Sequence, residues 1–504
     1  MSLVLIVLLT CLICYFIHVK WNIFAVGSRI PGPVALPLVG NVQMICKLKP
    51  ESLFKSIADY RAQFGKSYRL WLGPELWIFL HSPEETREAL NDSTLTRPAA
   101  FQQLSVLIGN GLLISYGKQW ETHRRALNPA FHMNILNSFT HVIAQHGEEL
   151  VEKLAATECK AIEISDYLFA CILDTIIETS MGKELNSLRD PNNRYAHDFH
   201  KTSELLFKRM TNPLLGWDFI FKRTNMYREM SASLAVIHQL MTSVVDARIE
   251  ALKQQQALQI ELPSSDALVE GIRKQRRTLL DTLLTTQIDG EQLTRSDICD
   301  EVNTFVFAGV DTTTAAMCFV LYSLGKYPLE QQKLLVEIRE VVHGELTTEA
   351  VNSLTYLDMF LKEVLRFYTV VPLTGRQTTE ETVIGGRRYC AGITLWINLY
   401  GLAHDERYFD EPHEFRPLRF AQTQSERLPP YVYIPFSGGP HICIGRKYAL
   451  LIMKIITVQI LRKFEVKLRD PAEKLVLQAQ MVLKALQGFN LIFLPRLEAD
   501  TMAA

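Results

Sequence analysis

The chain has 504 residues, of which 48% are hydrophobic and 21% charged, and its formal net charge at pH 7 is −1. This balance is typical of a folded globular protein, and it excludes the basic excess of nucleic-acid-binding proteins and the polar excess of disordered chains. The nine cysteines are odd in number and irregularly spaced, which argues against a disulfide framework and favours a reducing compartment.

The N-terminus is an apolar run. No formally charged side chain occurs from Met1 to Val19, and about 20 helical residues suffice to span the hydrocarbon core of a bilayer. Lys20 and Arg29 follow the run, so the positive-inside rule places the rest of the chain on the cytoplasmic side. A cleaved signal peptide is the alternative, but it normally has a basic start and a shorter apolar region. We therefore predict a membrane anchor over residues 1–28.

A proline-rich segment follows the anchor. Residues 29–41 contain Pro31, Pro33 and Pro37, which restrict the backbone and predict a stiff hinge. Residues 42–504 contain no Gly/Ser-rich or Pro-rich tract and no internal repeat, so we predict that they form one catalytic domain.

The body of the chain is predicted to be mainly α with small peripheral β-sheets. Strand-like runs occur at 68–72 and 76–80, and long helical patterns at 136–156 and 231–252. A Gly-Gly pair within 383–387 predicts a hairpin, and residues 482–493 bracket another turn at Gln487–Gly488. The polar stretch 254–277 is better explained by a solvated surface loop than by a nucleic-acid patch, so we expect no nucleic-acid partner.

One helix is predicted to cross the whole domain. Thr294-Arg-Ser-Asp297 is a capping signal, and the apolar spacing that follows continues until Gly325 and Pro328 end it. The pattern predicts a helix of about 30 residues and about 45 Å.

The middle of this helix contains poor helix formers. Gly309 costs about 1 kcal/mol relative to alanine, and the β-branched run Thr312–Thr314 is also unfavourable. The Thr312 hydroxyl is predicted to bond to the Ala308 carbonyl, while the small residues Ala308 and Gly309 leave room for a flat cofactor. Poor helix formers in the middle of a helix favour a functional role for Asp311 and Thr312. The alternative is a core helix that is merely kinked.

The strongest chemical signal is a cysteine at a predicted helix start. Phe436, Gly439, Cys443 and Gly445 have the spacing F-x-x-G-x-x-x-C-x-G, and a helical pattern begins at Arg446. Backbone N–H groups at a helix N-terminus favour a thiolate, which can bind a metal or act as a nucleophile. Axial ligation of haem iron uses all these features best. The other eight cysteines are interpreted as small buried hydrophobes.

Two segments resemble motifs of the cytochrome P450 family. Residues 436–445 are similar to its haem-binding loop, and the run that begins at Ala308 is similar to its distal-helix motif A-G-x-[DE]-T-[TS]. The resemblance implies the cytochrome P450 fold with an N-terminal membrane-anchor helix, haem b with the Cys443 thiolate on the iron, and Asp311 and Thr312 as catalytic groups that deliver protons. The remaining residues that these motifs place at the cofactor are Phe436, Gly439, Gly445, Ala308 and Gly309.

Further matches imply supporting roles. Trp120 and Arg124 match the family's W-x-x-x-R, which holds a haem propionate, and Arg376 fits a second propionate contact. The resemblance also implies a structural trio of one acid and two arginines that locks the core around the haem loop: Glu363, Arg366 and Arg419.

The chain departs from the family pattern at two positions. Microsomal members usually have arginine where this chain has His441, so we expect weaker propionate binding and haem retention that falls as pH rises through the pKa of His441. Residues 131–136 and 301–307 look closest to the family-4 group of animal and insect cytochromes P450, many of which have glutamate where Ala308 stands. Alanine cannot form an ester to haem, so we expect non-covalent haem that acid–organic extraction removes.

The resemblance implies a monooxygenase that inserts one atom of O2 into an apolar substrate such as a fatty acid, a hormone or a xenobiotic. Its expected partners are NADPH–cytochrome P450 reductase, cytochrome b5 as a second donor, and membrane lipid. The expected location is the endoplasmic reticulum membrane, with the catalytic domain on the cytoplasmic face. The alternatives are a haem-thiolate isomerase or dehydratase, and a non-enzymatic haem- or lipid-binding protein.

Overall fold

The computed structural model describes residues 20–37, 39–47, 52–65, 67–190, 192–212, 214–261, 278–288, 291–422 and 428–496. Most of the predicted anchor, residues 1–19, lies outside the described residues, as does 262–277 of the polar stretch. Residues 20–28 are helical.

The α-helices, numbered in chain order, are α1 (Val42–Lys47), α2 (Leu53–Phe64), α3 (Pro83–Asn91), α4 (Ser105–Ile108), α5 (Gly117–Leu127), α6 (Met133–Ala155), α7 (Ser165–Met181), α8 (Arg194–Thr211), α9 (Asp218–Phe221), α10 (Asn225–Glu261), α11 (Leu279–Thr285), α12 (Arg295–Lys326), α13 (Pro328–Val341), α14 (Thr348–Ser353), α15 (Thr355–Tyr368), α16 (Leu399–Ala403) and α17 (Arg446–Lys463). In the described ranges, 3₁₀ helices cover Ala99–Leu104, Asn128–Phe131 and Pro417–Phe420.

The strands are β1 (Ser67–Leu72), β2 (Glu75–Leu80), β3 (Ile162–Glu163), β4 (Gln287–Ile288), β5 (Glu291–Gln292), β6 (Leu373–Gln377), β7 (Thr382–Ile384), β8 (Arg387–Tyr389), β9 (Thr394–Asn398), β10 (Phe464–Leu468), β11 (Leu477–Ala479), β12 (Leu483–Ala485) and β13 (Asn490–Pro495). They form a four-stranded sheet in the order β1-β2-β9-β6, a three-stranded sheet β10-β13-β3, and the pairs β11-β12, β4-β5 and β7-β8. The predicted class, mainly α with small sheets, is confirmed.

The predicted hairpins have different outcomes. Gly385 and Gly386 both have positive φ and join β7 to β8, as the Gly-Gly pair predicts. The turn at Gln487–Gly488 also forms, but it connects strands of two different sheets, because β12 pairs with β11 and β13 pairs with β10. Strand pairing is a long-range choice that a local turn signal does not determine.

Helix α12 passes through the centre of the domain. Its capping box is formed as predicted: the Thr294 hydroxyl accepts from the Asp297 N–H at 3.1 Å, and the Asp297 carboxylate accepts from the Thr294 N–H at 3.1 Å. The helix ends at Lys326, two residues before the proline that begins α13. Most of its side chains are buried, and it packs against α7, α15, α17 and β10. The helix therefore gives the site a rigid wall.

Among the described residues, α12 is the one helix long and apolar enough to cross a bilayer, and 72% of its most apolar window is buried inside the protein. It is therefore a core helix.

The proline-rich segment lies against the body. Arg69 on β1 donates from Nε to the Gly27 carbonyl at 2.8 Å and from Nη1 to the Pro33 carbonyl at 3.2 Å. Asn41 donates from Nδ2 to the Val34 carbonyl at 3.0 Å. The predicted hinge is thus held along the edge of the four-stranded sheet.

Candidate haem site

A tight loop places Cys443 three residues before α17. The Cys443 N–H donates to the Phe436 carbonyl at 3.0 Å, and the Ile442 N–H donates to the Gly439 carbonyl at 3.1 Å. Ser437 and Gly439 both adopt positive φ, of 63° and 68°. These bonds close the loop on itself and fix the cysteine at the positive end of the helix dipole.

The two motif glycines have different roles. A Cβ at Gly439 would lie 2.3 Å from the Leu90 carbonyl oxygen, so this glycine lets the loop approach the end of α3. Its assignment as a cofactor contact stays a prediction. A Cβ at Gly445 would meet nothing nearer than the Cys443 Sγ at 3.9 Å. The space beside the sulfur is therefore open enough for a flat group to approach.

The electrostatics of the thiol differ from the sequence prediction. The Cys443 side chain is exposed, yet desolvation by the surrounding protein raises the pKa of its thiol. The backbone N–H groups of Gly445 and Arg446 and the guanidinium of Arg124 hold the pKa down but do not prevail. The helix start alone does not favour the thiolate, whereas a bound cation would deprotonate the thiol.

The distal residues share one side of α12. Ala308, Asp311 and Thr312 are half-buried. Their chain neighbours Val310 and Thr313 are buried. The Thr312 hydroxyl donates to the Ala308 carbonyl at 2.8 Å, as predicted. This bond holds the hydroxyl at a fixed place on the helix surface.

Gly309 has a packing role that the sequence analysis did not foresee. A Cβ there would lie 2.9 Å from Cδ1 of Ile176 on α7, so the glycine allows the two helices to approach closely. That Ala308 and Gly309 also leave room for the cofactor stays a prediction.

Asp311 has a partner from another element. Its Oδ1 lies 3.5 Å from Nζ of Lys484, which belongs to β12. Sequence reasoning did not identify Lys484, because the contact joins residues 173 positions apart in the chain.

A group of cationic and aromatic side chains lies beside the cysteine loop. The rings of Trp120 and His441 have centroids 3.9 Å apart. Burial and the neighbouring charges of Arg97, Arg376 and Arg124 lower the pKa of His441 to about 3. The imidazole is therefore neutral at physiological pH in this arrangement of charges, and the expected pH dependence of haem retention stays a prediction.

The three arginines are desolvated. Burial lowers the pKa of Arg97 to about 10 and the pKa of Arg376 to about 9, and desolvation also lowers the pKa of Arg124. In the part of the chain that the structure describes, none of the three forms an ion pair with a carboxylate. The Nη2 atom of Arg376 is buried without a hydrogen-bond partner.

This donor set fits haem. Haem carries two carboxylates, and guanidinium groups pair with carboxylates by two parallel hydrogen bonds. The site combines three guanidiniums, an indole and an imidazole with an accessible thiol and with free space at Gly445. The cationic groups suit the anionic edge of haem, and the thiol suits its iron. The residues present therefore fit the cofactor that the sequence predicts.

Arg97 is a site residue that the sequence analysis missed. It precedes Pro98, which restricts the backbone of residue 97, and this is too weak a signal to single out one arginine. Its role becomes visible only where the fold brings it to His441 and Arg376.

The structural trio forms as the resemblance implies. Arg366 donates from Nε and Nη2 to the two oxygens of Glu363 at 2.7 and 2.8 Å, and Arg419 donates from Nε to Glu363 Oε1 at 3.0 Å. Glu363 and Arg366 are fully buried. The trio joins α15 to the 3₁₀ helix that contains Arg419.

Comparison with known proteins agrees with this geometry. The cytochrome P450 family model matches residues 30–493. Cytochrome P450 4d1 of Drosophila melanogaster is 34% identical over 481 residues, which cover 93% of this chain and 93% of that protein. Cytochrome P450 4V2 of Mus musculus is 33% identical over 478 residues, covering 92% and 89%. The chain belongs to the cytochrome P450 family and is a haem-thiolate monooxygenase, whose haem b iron is bound by a cysteine thiolate.

Proposed function

We propose that this protein hydroxylates an apolar substrate RH, by the balance RH + O2 + 2 H⁺ + 2 e⁻ → ROH + H2O. The electrons come from NADPH through NADPH–cytochrome P450 reductase, with cytochrome b5 as a second donor. The observation that carries the proposal is the accessible Cys443 thiol near the start of α17, together with three arginines that have no carboxylate partner among the described residues. When bound, haem supplies the binding and reductive activation of O2.

The residues divide into three roles. Cys443 would bind the iron, and the guanidiniums of Arg97, Arg124 and Arg376 would hold the propionates with help from Trp120 and His441. Asp311 and Thr312 would pass protons from solvent into the site. The Thr312 hydroxyl is suited to this because its bond to the Ala308 carbonyl leaves its lone pairs free to accept a proton-donating partner.

The substrate enters from a membrane. Leu214, Trp217 and Phe219 are large apolar side chains that are exposed, and Trp217 and Phe219 meet edge to face. Exposed aromatic and aliphatic side chains of this kind suit a bilayer interface, and they support membrane association of the catalytic domain. Together with the anchor predicted at 1–28, they favour the cytoplasmic face of the endoplasmic reticulum and a fatty acid, hormone or xenobiotic as substrate.

The first experiment is the absorption spectrum of the reduced protein with carbon monoxide. We expect a strongly red-shifted Soret band in the wild type and its loss in Cys443→Ser, because a neutral oxygen ligand cannot donate charge as a thiolate does. Cys159→Ser is the matched control, since Cys159 is another exposed cysteine on the same chain. An unchanged spectrum in Cys443→Ser would assign the iron to another ligand.

A second experiment separates the reaction classes. The purified protein is mixed with the reductase, NADPH and dodecanoic acid as a probe, and O2 uptake is followed together with hydrogen peroxide and hydroxylated product. A monooxygenase consumes O2 only with NADPH, whereas an isomerase, a dehydratase or a binding protein leaves O2 unchanged. Thr312→Ala should lower the yield of product per O2 and raise hydrogen peroxide, and Thr312→Ser should retain most of the yield because it keeps the hydroxyl.

A further inference from the structure

We propose that Lys484 is a positioning residue that holds the Asp311 carboxylate in place for proton delivery. The inference rests on the proposed role of Asp311. Lys484 itself exchanges no atom or electron in the net reaction. Its task is to fix the orientation of a side chain through which the two protons of each turnover pass.

The ion pair is half-buried and local. Lys484 Nζ lies 3.5 Å from Asp311 Oδ1, and the side chains are 32% and 13% exposed. In the described part of the chain, Lys484 is the one partner of Asp311 among the hydrogen bonds and ion pairs. Two charges at this distance in a partly desolvated place attract more strongly than a surface pair does. The orientation of the Asp311 carboxylate therefore depends on Lys484.

Lys484 is attached to a firm support. It lies on β12, opposite Gln478 of β11. The next residue toward the N-terminus, Leu483, is fully buried, and its N–H donates to the Val370 carbonyl just after α15 at 2.8 Å. A lysine on a strand held in this way presents its ammonium group at a restricted position.

The Lys484 charge also acts weakly on a second carboxylate. The hydrogen bond from Lys208 is the main cause that lowers the pKa of Glu204 on α8, and the charge of Lys484 adds to it. This effect of Lys484 on Glu204 is the smallest of the contributions, whereas its ammonium lies 3.5 Å from the Asp311 carboxylate. Glu204 has Lys208 as its own direct partner at 2.6 Å, so the Lys484 charge is left mainly to Asp311.

The test uses the full-length holoprotein with Lys484→Met, Lys484→Arg, Asp311→Asn and the double variant. Lys467→Met is the matched control, because Lys467 is a half-exposed strand lysine with a single carboxylate, Glu465, at 3.4 Å. The first measurement is the infrared C–O stretching frequency of the reduced, carbon-monoxide-bound protein, which responds to nearby charge. The second is product per O2 consumed with dodecanoic acid, NADPH and the reductase.

The charges predict shifts of opposite sign. Lys484→Met leaves a bare carboxylate and Asp311→Asn leaves a bare ammonium, so their C–O frequencies should move in opposite directions, and Lys484→Arg should restore the wild-type value. Product per O2 should fall about tenfold in Lys484→Met and recover in Lys484→Arg. The double variant should lose no more than Asp311→Asn alone.

Two contrary results have different meanings. If Asp311→Asn changes both measurements while Lys484→Met matches Lys467→Met, the positioning role of Lys484 is overturned and the role of Asp311 stands. If Asp311→Asn leaves both measurements unchanged, the proposed role of Asp311 fails, and the inference about Lys484 fails with it.

Discussion

Arg376 is 2% exposed, and the one acceptor of its Nη1 among the described residues is the Gly375 carbonyl, at 3.0 Å. Burial and the positive charge of Arg97 lower its pKa to about 9. A buried positive charge that has no carboxylate partner among the described residues destabilises the ligand-free protein. Such a charge is kept at a site where a bound ligand supplies the opposite charge. At the scale of single residues, the site is thus built for an anion that the chain does not contain.

This arrangement makes Arg376→Met a variant with two opposite effects. Haem affinity should fall by about tenfold or more, because a charge-assisted bond to a propionate is lost. The haem-free protein should unfold at the same or a higher temperature, because methionine fills the space without a buried charge. Haem titration and thermal unfolding of the haem-free protein measure the two effects. Arg388→Met, at an 80% exposed side chain, should change neither. A haem-free protein that is clearly less stable in Arg376→Met would contradict this explanation.

Features of the site that depend on spacing within one segment could be predicted from the sequence. The bond from Thr312 to Ala308 and the position of Cys443 at a helix start follow from spacing within one segment. Arg97 and Lys484 could not be found in this way, because each acquires its neighbours only when distant segments meet. The low pKa of His441 is also a consequence of the fold, since it depends on burial and on three arginines from other parts of the chain.

At the scale of elements, helices and sheets differ in how far the sequence determines them. Both ends of α12 are specified by nearby residues, a capping box at the start and a proline shortly after the end. Its 32 residues therefore agree with the predicted length. In contrast, local sequence patterns do not determine that β12 pairs with β11 and β13 with β10. The four-stranded sheet shows the same dependence, since its parallel neighbours β2 and β9 come from distant parts of the chain.

The junction of β2 and β9 predicts an acid-sensitive element. His81, directly after β2, is 1% exposed, and its Nδ1 accepts from Asn398 Nδ2 at 3.1 Å. Burial, the largest cause, lowers its pKa from 6.5 to about 3. Between these pH values His81 binds a proton in the unfolded chain but not in the folded protein. The contribution of His81 therefore leaves the unfolding free energy at its full value above pH 6.5 and reduces it as the pH falls.

We therefore expect His81→Gln to flatten the acid side of the stability curve. Glutamine keeps an acceptor for Asn398 and cannot become charged. From pH 6.5 to pH 5 the wild type should lose about 2 kcal/mol of unfolding free energy through His81. Chemical unfolding at both pH values measures this, and the loss should be smaller in His81→Gln. His343→Gln, at an exposed histidine, should behave as the wild type does. An equal acid loss in all three proteins would show that His81 titrates normally.

At the scale of the whole molecule, one buried carboxylate joins segments that frame the haem loop. Glu363 on α15 accepts from Arg366, from Arg419 and from the Arg416 N–H. Arg366 also donates to the carbonyls of Ala403 and Pro412, both at 2.9 Å. The hydrogen bonds connect α15, the end of α16 and the segment before the cysteine loop. The sequence alone shows an acid and a base at i, i+3, which is indistinguishable from a surface pair until the family resemblance or the fold is known.

Removing the Glu363 charge should therefore destabilise the entire domain. Glu363→Gln leaves the fully buried Arg366 without its carboxylate, and breaking a buried pair in this way costs about 3–5 kcal/mol. Arg419→Lys keeps one charge but loses donors to the Asp410 and Glu414 carbonyls, so a smaller loss of about 1–3 kcal/mol is expected. Glu340→Gln, at an exposed acid on α13, is the control. Denaturant unfolding and the yield of haem-bound protein should both rank the variants in this order. If Glu363→Gln proved no less stable than Glu340→Gln, the network would not be what holds α15 to the haem loop.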